Sequence, residues 1–351
     1  MPRDERLDEP STEAAEAAAR ATFERRVVET ARMDGGVNAL YRIELDDRAV
    51  VLKAPTIATD EAFLAEPAVL RFIGQETPVP TPQILAQIAP EAGPLDTAFY
   101  VMEFIDGRQV RSLMGLSPPA RERLVREAGT HLAAIHELRI TDTYGRLQFS
   151  DDELGVKSPF QSWDAFFGEL VEEVITGLRG DGHLTDEEPR FADLAPTIRN
   201  TLADYSVTVD PPPAPALVVS DYRPLNLILA TADDTDQLVQ GVIDVSGLAG
   251  DPLLDAALTE EAMINVPLGG TANTESLRRV FRTAYADGRN SERELLFDER
   301  YPYYQLYARA KRLAAFEYTA QFARETDPGA IAKRWRSFVA DRVAEIDESR
   351  R

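Results

Sequence analysis

Two kinds of apolar spacing run along this chain, and the switch between them organises it. From Thr12 to about Glu29 the alanines and larger apolar residues recur at helical spacing, and Ser11 or Thr12 stands where the first turn needs a cap. The period then shortens. Leu40 to Leu45 and Ala49 to Ala54 alternate as strands do, joined at Asp46-Asp47-Arg48 by a tight turn. Residues 60–74 return to a helical period. Pro78-Val79-Pro80-Thr81-Pro82 forces an extended loop, because a proline excludes the helical region for the residue before it. Ile84 to Ile88 and Ala98 to Phe104 are two further strands, ended by Asp106-Gly107.

Beyond this point the helical period dominates. Pro118 to Leu138 carries Leu124, Ala128, Leu132 and Ile135 on one face. Further helices are expected at 161–178, 190–204, 275–287 and 301–325, with a last one near 330–347. Three short apolar runs interrupt them: Leu217-Val218-Val219-Ser220-Asp221, Leu227-Ile228-Leu229 and Val242-Ile243-Asp244. They are short strands inside a helical half, and the prolines at 211–215 ahead of them form a surface loop. No internal repeat is found. The expected fold class is α+β: a small β-rich lobe over residues 1–104 and a larger, mainly helical lobe over 105–351. A short joint lies near 104–107, and a small ligand would bind in the cleft between the lobes.

Composition narrows the choice of partners. A hydrophobic fraction of 44% with 28% charged residues excludes a disordered chain. Sixty acidic residues against 38 basic ones give a net charge of −22, which repels phosphate backbones, so no nucleic-acid partner is expected. The absence of cysteine excludes a disulfide scaffold, a thiolate metal site and a cysteine nucleophile. The only histidines are His131, His136 and His183; the first two do not share a helix face, and none is assigned chemistry. Lysine occurs only at positions 53, 157, 311 and 333, so 34 of the 38 basic residues are arginine. Few lysines amid many acids point to a halophilic protein, whose anionic surface is screened by salt. There is no apolar run of membrane-spanning length and no signal-peptide-like apolar core, so a cytoplasmic location away from membranes is expected.

Four features carry chemistry. In Asp221-Tyr222-Arg223-Pro224-Leu225-Asn226 an aspartate precedes an asparagine by five residues, between two apolar strands. Asp244 ends the run Gly241-Val242-Ile243, far enough on for a hairpin to return it beside Asn226. A carboxylate and an amide oxygen are hard ligands suited to Mg²⁺, which leaves Asp221 free to act as a base. Lys53, the only lysine in the first 156 residues, sits on a strand where a compact ammonium can reach phosphate oxygens. Gly35-Gly36-Val37-Asn38 stands ahead of Leu40-Tyr41-Arg42, and paired glycines let backbone N–H groups close over an anion. Taken singly, each has a plain structural explanation. Their order, from glycine loop to lysine to Asp…Asn to Asp, is that of phosphoryl transfer of the protein-kinase kind.

That order resembles the aminoglycoside phosphotransferase and choline-kinase-like family of small-molecule kinases, whose fold is protein-kinase-like. The segment Gly35 to Tyr41 is similar to the family's glycine loop. Val219 to Asn226 is similar to its H-G-D-x-x-P-x-N catalytic loop. Ile243-Asp244 with Gly250-Asp251-Pro252-Leu253-Leu254-Asp255 is similar to its metal motif, and Met102 to Gly107 to its hinge. The resemblance implies an ATP- and Mg²⁺-dependent phosphotransferase acting on a hydroxyl of a small molecule. It implies that Asp221 serves the acceptor hydroxyl, and that Asn226 and Asp244 hold Mg²⁺. Nucleotide contacts would come from Gly35, Gly36, Asn38 and Lys53, with Glu66 pairing the lysine. Backbone groups of Glu103 to Ile105 would bind adenine. Two departures stand out. Val219-Ser220 replaces the family's His-Gly and motivates a second reading, a pseudokinase that binds nucleotide without transfer. Glu66 is followed by Pro67, which a helix tolerates only in its first turn, so Glu61 is the fallback partner. A third reading, a helical interaction protein with accidental motifs, predicts no effect of nucleotide at all.

Overall fold

The computed structural model describes residues 7–34, 37–57, 61–150, 153–180, 189–203, 205, 214–232, 237–269, 271–289, 297 and 299–349. Helix α1 (Thr12–Phe23) starts where Ser11 Oγ accepts a hydrogen bond from the Ala14 N–H at 3.2 Å. It stops earlier than the spacing implies. Glu24 turns left-handed at φ 50°, and the β-branched Val27 and Val28 open strand β1 (Val27–Arg32) instead of extending the helix.

β1 is the edge of a five-stranded antiparallel sheet with β2 (Ala39–Leu45), β3 (Ala49–Ala54), β4 (Ile84–Ile88) and β5 (Phe99–Glu103), in the order β1-β2-β3-β5-β4. Alternation divides its two faces. Ile43, Val50, Leu52 and Val101 pack with the alanines of α1 in one core. Val51, Tyr100 and Met102 point the other way, against Phe63, Leu70 and Ile73 of helix α2 (Glu61–Glu76), and join the core of the helical part. Lys53 shares the parity of Val51, so the strand aims it at α2.

In the helical part, α3 (Pro118–Ile135) lies along the helix Ala272–Gly288. Gly129 is required there: a Cβ would stand 2.6 Å from the Phe281 carbonyl oxygen. Helices α4 (Trp163–Leu178), α5 (Ala195–Ala203) and α6 (Pro252–Glu260) and the helices Tyr301–Ala314 and Pro328–Ser349 complete the core. The aromatic residues Trp163, Phe166, Phe167, Tyr301, Tyr303, Tyr304 and Tyr307 are all buried in it.

Several elements depart from expectation. The hairpin β6 (Tyr144–Ser150) and β7 (Glu153–Phe160) joins β11 (Leu248–Gly250) and β8 (Ala216–Val218) in a second sheet, ordered β7-β6-β11-β8. β7 buries no residue fully, so it lacks the apolar alternation that marks a strand. The helix expected over 301–325 breaks at Ala315 and resumes as Phe316–Ala320. The Thr319 hydroxyl donates to the Arg312 and Ala315 carbonyls, at 2.8 and 2.9 Å, where the helical ladder is interrupted.

Two contacts fix the N-terminal sheet to the hairpin β9 (Leu227–Leu229) and β10 (Val239–Val242). Arg108 and Leu229 exchange both backbone hydrogen bonds at 2.8 Å, and the Val242 N–H reaches the Pro80 carbonyl at 2.8 Å. Gly107 makes the first possible, since a Cβ there would lie 2.5 Å from the Leu229 carbonyl oxygen.

Candidate active site

Lys53 is the centre of the buried part of the site. Its Nζ donates to Glu66 Oε1 and Oε2 at 2.9 and 2.7 Å and to Asp244 Oδ1 at 2.7 Å. Lys53 and Glu66 are each 4% exposed, whereas the Asp244 side chain is 48% exposed. Burial alone would pull the ammonium down, but the carboxylates of Glu66 and Asp244 outweigh it and hold Lys53 well above the usual lysine value. α2 carries Pro67 in its second turn and continues through it, so Glu66 and not Glu61 meets the lysine. Glu61 pairs with Lys157 at the surface.

Asp221 and Asn226 form the second half. Asn226 Nδ2 donates to the Asp221 carbonyl and to Asp221 Oδ2, both at 3.0 Å. Pro224 starts a single 3₁₀ turn, Pro224–Asn226, that brings the two side chains together across five residues. The halves meet through the hairpin. Leu227 pairs with Val242, and the Ile243 N–H donates to the Asn226 carbonyl at 2.9 Å, which sets Asp244 one residue beyond Asn226's partner. Asp244 is left-handed at φ 58°, a conformation that aspartate tolerates better than most residues.

The loop before Asp221 is braced without the family's histidine. Val219 is buried, and its N–H donates to Asp255 Oδ2 at 2.7 Å; the Ser220 N–H donates to Oδ1 at 3.0 Å. Asp255, fully buried on α6, also lies 3.2 Å from His136 Nε2, and His136 Nδ1 lies 2.8 Å from the Tyr285 hydroxyl. Ser220 sits at φ 62°, which explains why a glycine suits this position; a side chain there costs on the order of 1 kcal/mol. Asp251 takes the N-cap of α6 and accepts from the Tyr304 hydroxyl, so both later aspartates of the motif are structural.

Further on, the Tyr222 hydroxyl lies 2.7 Å from His131 Nδ1. Burial lowers His131 to about 4, below the 6.5 of a free histidine. The unfolded chain therefore binds a proton more readily between those values. The stability due to neutral His131 is complete above 6.5 and drains as pH falls toward 4. His131→Gln keeps a partner for Tyr222 and cannot titrate. Between roughly pH 7.5 and 5, wild type should lose about 2 kcal/mol more than this variant in denaturant titrations. Identical pH dependence of the two proteins would contradict the buried neutral imidazole.

At the joint, the Glu103 N–H donates to the Gln83 carbonyl at 2.9 Å and the Phe104 N–H to the Ala49 carbonyl at 3.4 Å. The Ile105 N–H has no partner among the described residues. Asn38 is half-buried just before β2, and the neighbouring Val37 carbonyl accepts from the Thr56 hydroxyl at 2.6 Å. Gly35 and Gly36, and also His183, lie outside the described residues.

Sequence reasoning misses the bracing by Asp255, His136 and His131, because these partners are distant in the chain and no spacing announces them. It also misses two arginines beside Asp221. Arg223 Nε is 2.9 Å from Asp221 Oδ2, and Arg312 Nη2 is 3.8 Å from Oδ1.

Comparison with known proteins assigns the family. Residues 30–295 match the phosphotransferase enzyme family, and the chain belongs to that family. Its mixed α+β architecture is the one expected, and solved structures share it. A protein from Ralstonia eutropha assigned as an aminoglycoside phosphotransferase superposes with a TM-score of 0.65 at 16% identity, over 96% of this chain and 98% of that one. Aminoglycoside phosphotransferase APH(4)-Ia, in a complex with AMP-PNP and hygromycin B, gives 0.58 at 15% identity, over 93% and 98%. A complex of APH(2")-IIa with streptomycin and ATP gives 0.55 at 17% identity, over 97% of each chain. The probable acyl-CoA dehydrogenase IBR3 of Arabidopsis thaliana is 25% identical over 220 residues, 60% of this chain; the chain spans about a quarter of that protein's length. No helix among the described residues is long and apolar enough to cross a membrane.

Proposed function

We propose that the enzyme transfers the γ-phosphoryl group of ATP, with Mg²⁺, to a hydroxyl of a small molecule. The observation that carries this reading is the convergence of Lys53, Glu66 and Asp244 with Asp221 and Asn226 across the β9–β10 hairpin.

The residues fit the metal. Asn226 turns its amide nitrogen toward Asp221, and Asp244 gives Oδ1 to Lys53. Asn226 Oδ1 and Asp244 Oδ2 are left without hydrogen-bond partners among the described residues. Among the same residues no group of three or more His, Asp or Glu side chains could hold a metal alone. One carboxylate and one amide oxygen, completed by phosphates and water, is the donor set Mg²⁺ accepts. When bound, the ion neutralises charge on the β- and γ-phosphates.

The chain's own residues do the rest. Lys53, fixed by Glu66, offers a charge-assisted contact to phosphate oxygens. The free Ile105 N–H suits a ring nitrogen of adenine, and Asn38 closes the loop side of the nucleotide. Asp221 orients the acceptor hydroxyl and takes its proton as the oxygen bonds to phosphorus and ADP leaves. Asn226 holds Asp221 in place. Asp255 braces the backbone of Val219 and Ser220 where the family has His-Gly, which favours transfer over the pseudokinase reading.

Mg·ATP at about 100 times its dissociation constant should stabilise the protein by roughly 2.7 kcal/mol in a thermal unfolding assay. Asp244→Ala should remove the magnesium dependence of that shift. No shift in wild type at any salt concentration would overturn the reading.

We also infer a high-salt setting from the net charge of −22 and the scarcity of lysine. The unfolding temperature should rise steadily with KCl concentration as like-charge repulsion is screened. A flat or falling dependence would contradict it.

A further inference from the structure

We infer that the acceptor is an anion: a hydroxyl compound bearing a carboxylate or a phosphate, bound by arginines beside Asp221. This rests on the phosphotransferase reading and extends it to substrate class.

A cavity adjoins the catalytic loop. Arg111, Arg223 and Arg312 line it, with Leu225, Val266 and Phe322 among the remaining neutral residues; no acidic side chain lines it. Acids outnumber bases 60 to 38 in the whole chain, so three guanidinium groups around one cavity run against the composition.

These cations are short of counter-charge. Arg312 is 8% exposed, its Nε has no hydrogen-bond partner, and its only carboxylate neighbour among the described residues is Asp221 at 3.8 Å. Arg223 also looks to Asp221, at 2.9 Å, and otherwise to neutral Tyr318, whose hydroxyl lies 3.4 Å from Nη2. Arg111 is exposed, donates to the Gln321 amide oxygen at 2.6 Å, and lies over the Phe322 ring. Among the described residues, one carboxylate thus stands against three guanidinium groups.

Neutralising Asp221 would need one cation, and a buried, unsatisfied guanidinium carries a large desolvation cost. An acceptor anion removes that cost on binding and forms the bidentate pair that arginine favours. An anion held by Arg223 and Arg312 would lie close to Asp221, which both arginines approach. A polycationic acceptor would meet like charge at the same place, a repulsion that works against binding.

Equilibrium binding and turnover test this together, with Mg·ATP binding measured in parallel. The anionic probes are malate and glycerate for the carboxylate arm and glycerol phosphate for the phosphate arm. Dimethyl malate, methyl glycerate and glycerol are their neutral counterparts, and kanamycin is the cation. At least one anionic arm should bind wild type tenfold or more tightly than its neutral counterpart, and the tighter arm identifies the anion. Arg312→Gln should weaken that binding at least tenfold and leave Mg·ATP affinity unchanged. Arg111→Gln, at an exposed position that does not endanger folding, should weaken it severalfold. Any probe that turns over should show the loss in KM more than in kcat for Arg111→Gln. Preference for kanamycin or for neutral probes, or indifference of anion binding to both substitutions, would overturn the assignment while Mg·ATP binding leaves the kinase reading standing. Failure of wild type to bind Mg·ATP would instead strike the kinase reading.

Discussion

Asp221→Asn is expected to lower kcat by roughly 10²- to 10⁴-fold while leaving Mg·ATP affinity within about a factor of two, because it removes proton acceptance and little else. The shape is conserved, and Asn226 Nδ2 can still donate to the remaining side-chain oxygen. Arg223 and Arg312 lose their carboxylate neighbour in this variant. If those arginines hold an acceptor anion, acceptor affinity should hold or improve as kcat falls. Single-turnover kinetics separates the two effects. Unchanged kcat would show that Asp221 does not serve the acceptor hydroxyl.

Lys53→Met is the second large effect, and it acts on folding as well as binding. Glu66 is 4% exposed and both of its carboxylate oxygens accept from Lys53, so removing the ammonium leaves a buried carboxylate without its counter-charge. Breaking such a pair typically costs about 3–5 kcal/mol. Adding Glu66→Gln to the same protein should restore part of that stability, since the uncompensated charge is gone. Nucleotide affinity should stay low in both variants. A loss below about 1 kcal/mol for Lys53→Met, or no recovery in the double variant, would contradict the buried pairing.

The legible parts of the site are those set by local periodicity. Lys53 shares the parity of Val51, so the two-residue period of the strand is enough to put it on the face that α2 covers. Asp221, Asn226 and Asp244 lie at the ends of short apolar runs, which fixes them at the mouth of the small sheet and hairpin. The β1 strand is hidden because alanine-rich α1 runs into it without a proline or glycine; only the left-handed turn at Glu24 separates them. The β6–β7 hairpin is hidden because one of its strands stays largely in solvent. Glu66 is obscured by Pro67, which looks like a helix breaker; α2 nevertheless continues through it, its buried face packed on the sheet.

Side chains that act across the chain give no local signal. Asp255 braces the backbone of Val219 and Ser220 from α6, and Arg111 and Arg312 reach the catalytic loop from two separate segments. Charge balance over the whole molecule conceals them as well. A total of −22 does not set the sign at any one place, and the cavity beside Asp221 is lined by three arginines and no acid. Local sign, not net charge, decides which acceptor can approach.

The most direct measurement is a crystal structure of the protein with Mg²⁺ and a non-hydrolysable ATP analogue. The account predicts the ion bound by the Asn226 amide oxygen and the Asp244 carboxylate, phosphate oxygens on Lys53, and the terminal phosphate facing Asp221. A nucleotide seated away from Lys53, or a metal ion that neither Asn226 nor Asp244 touches, would contradict it.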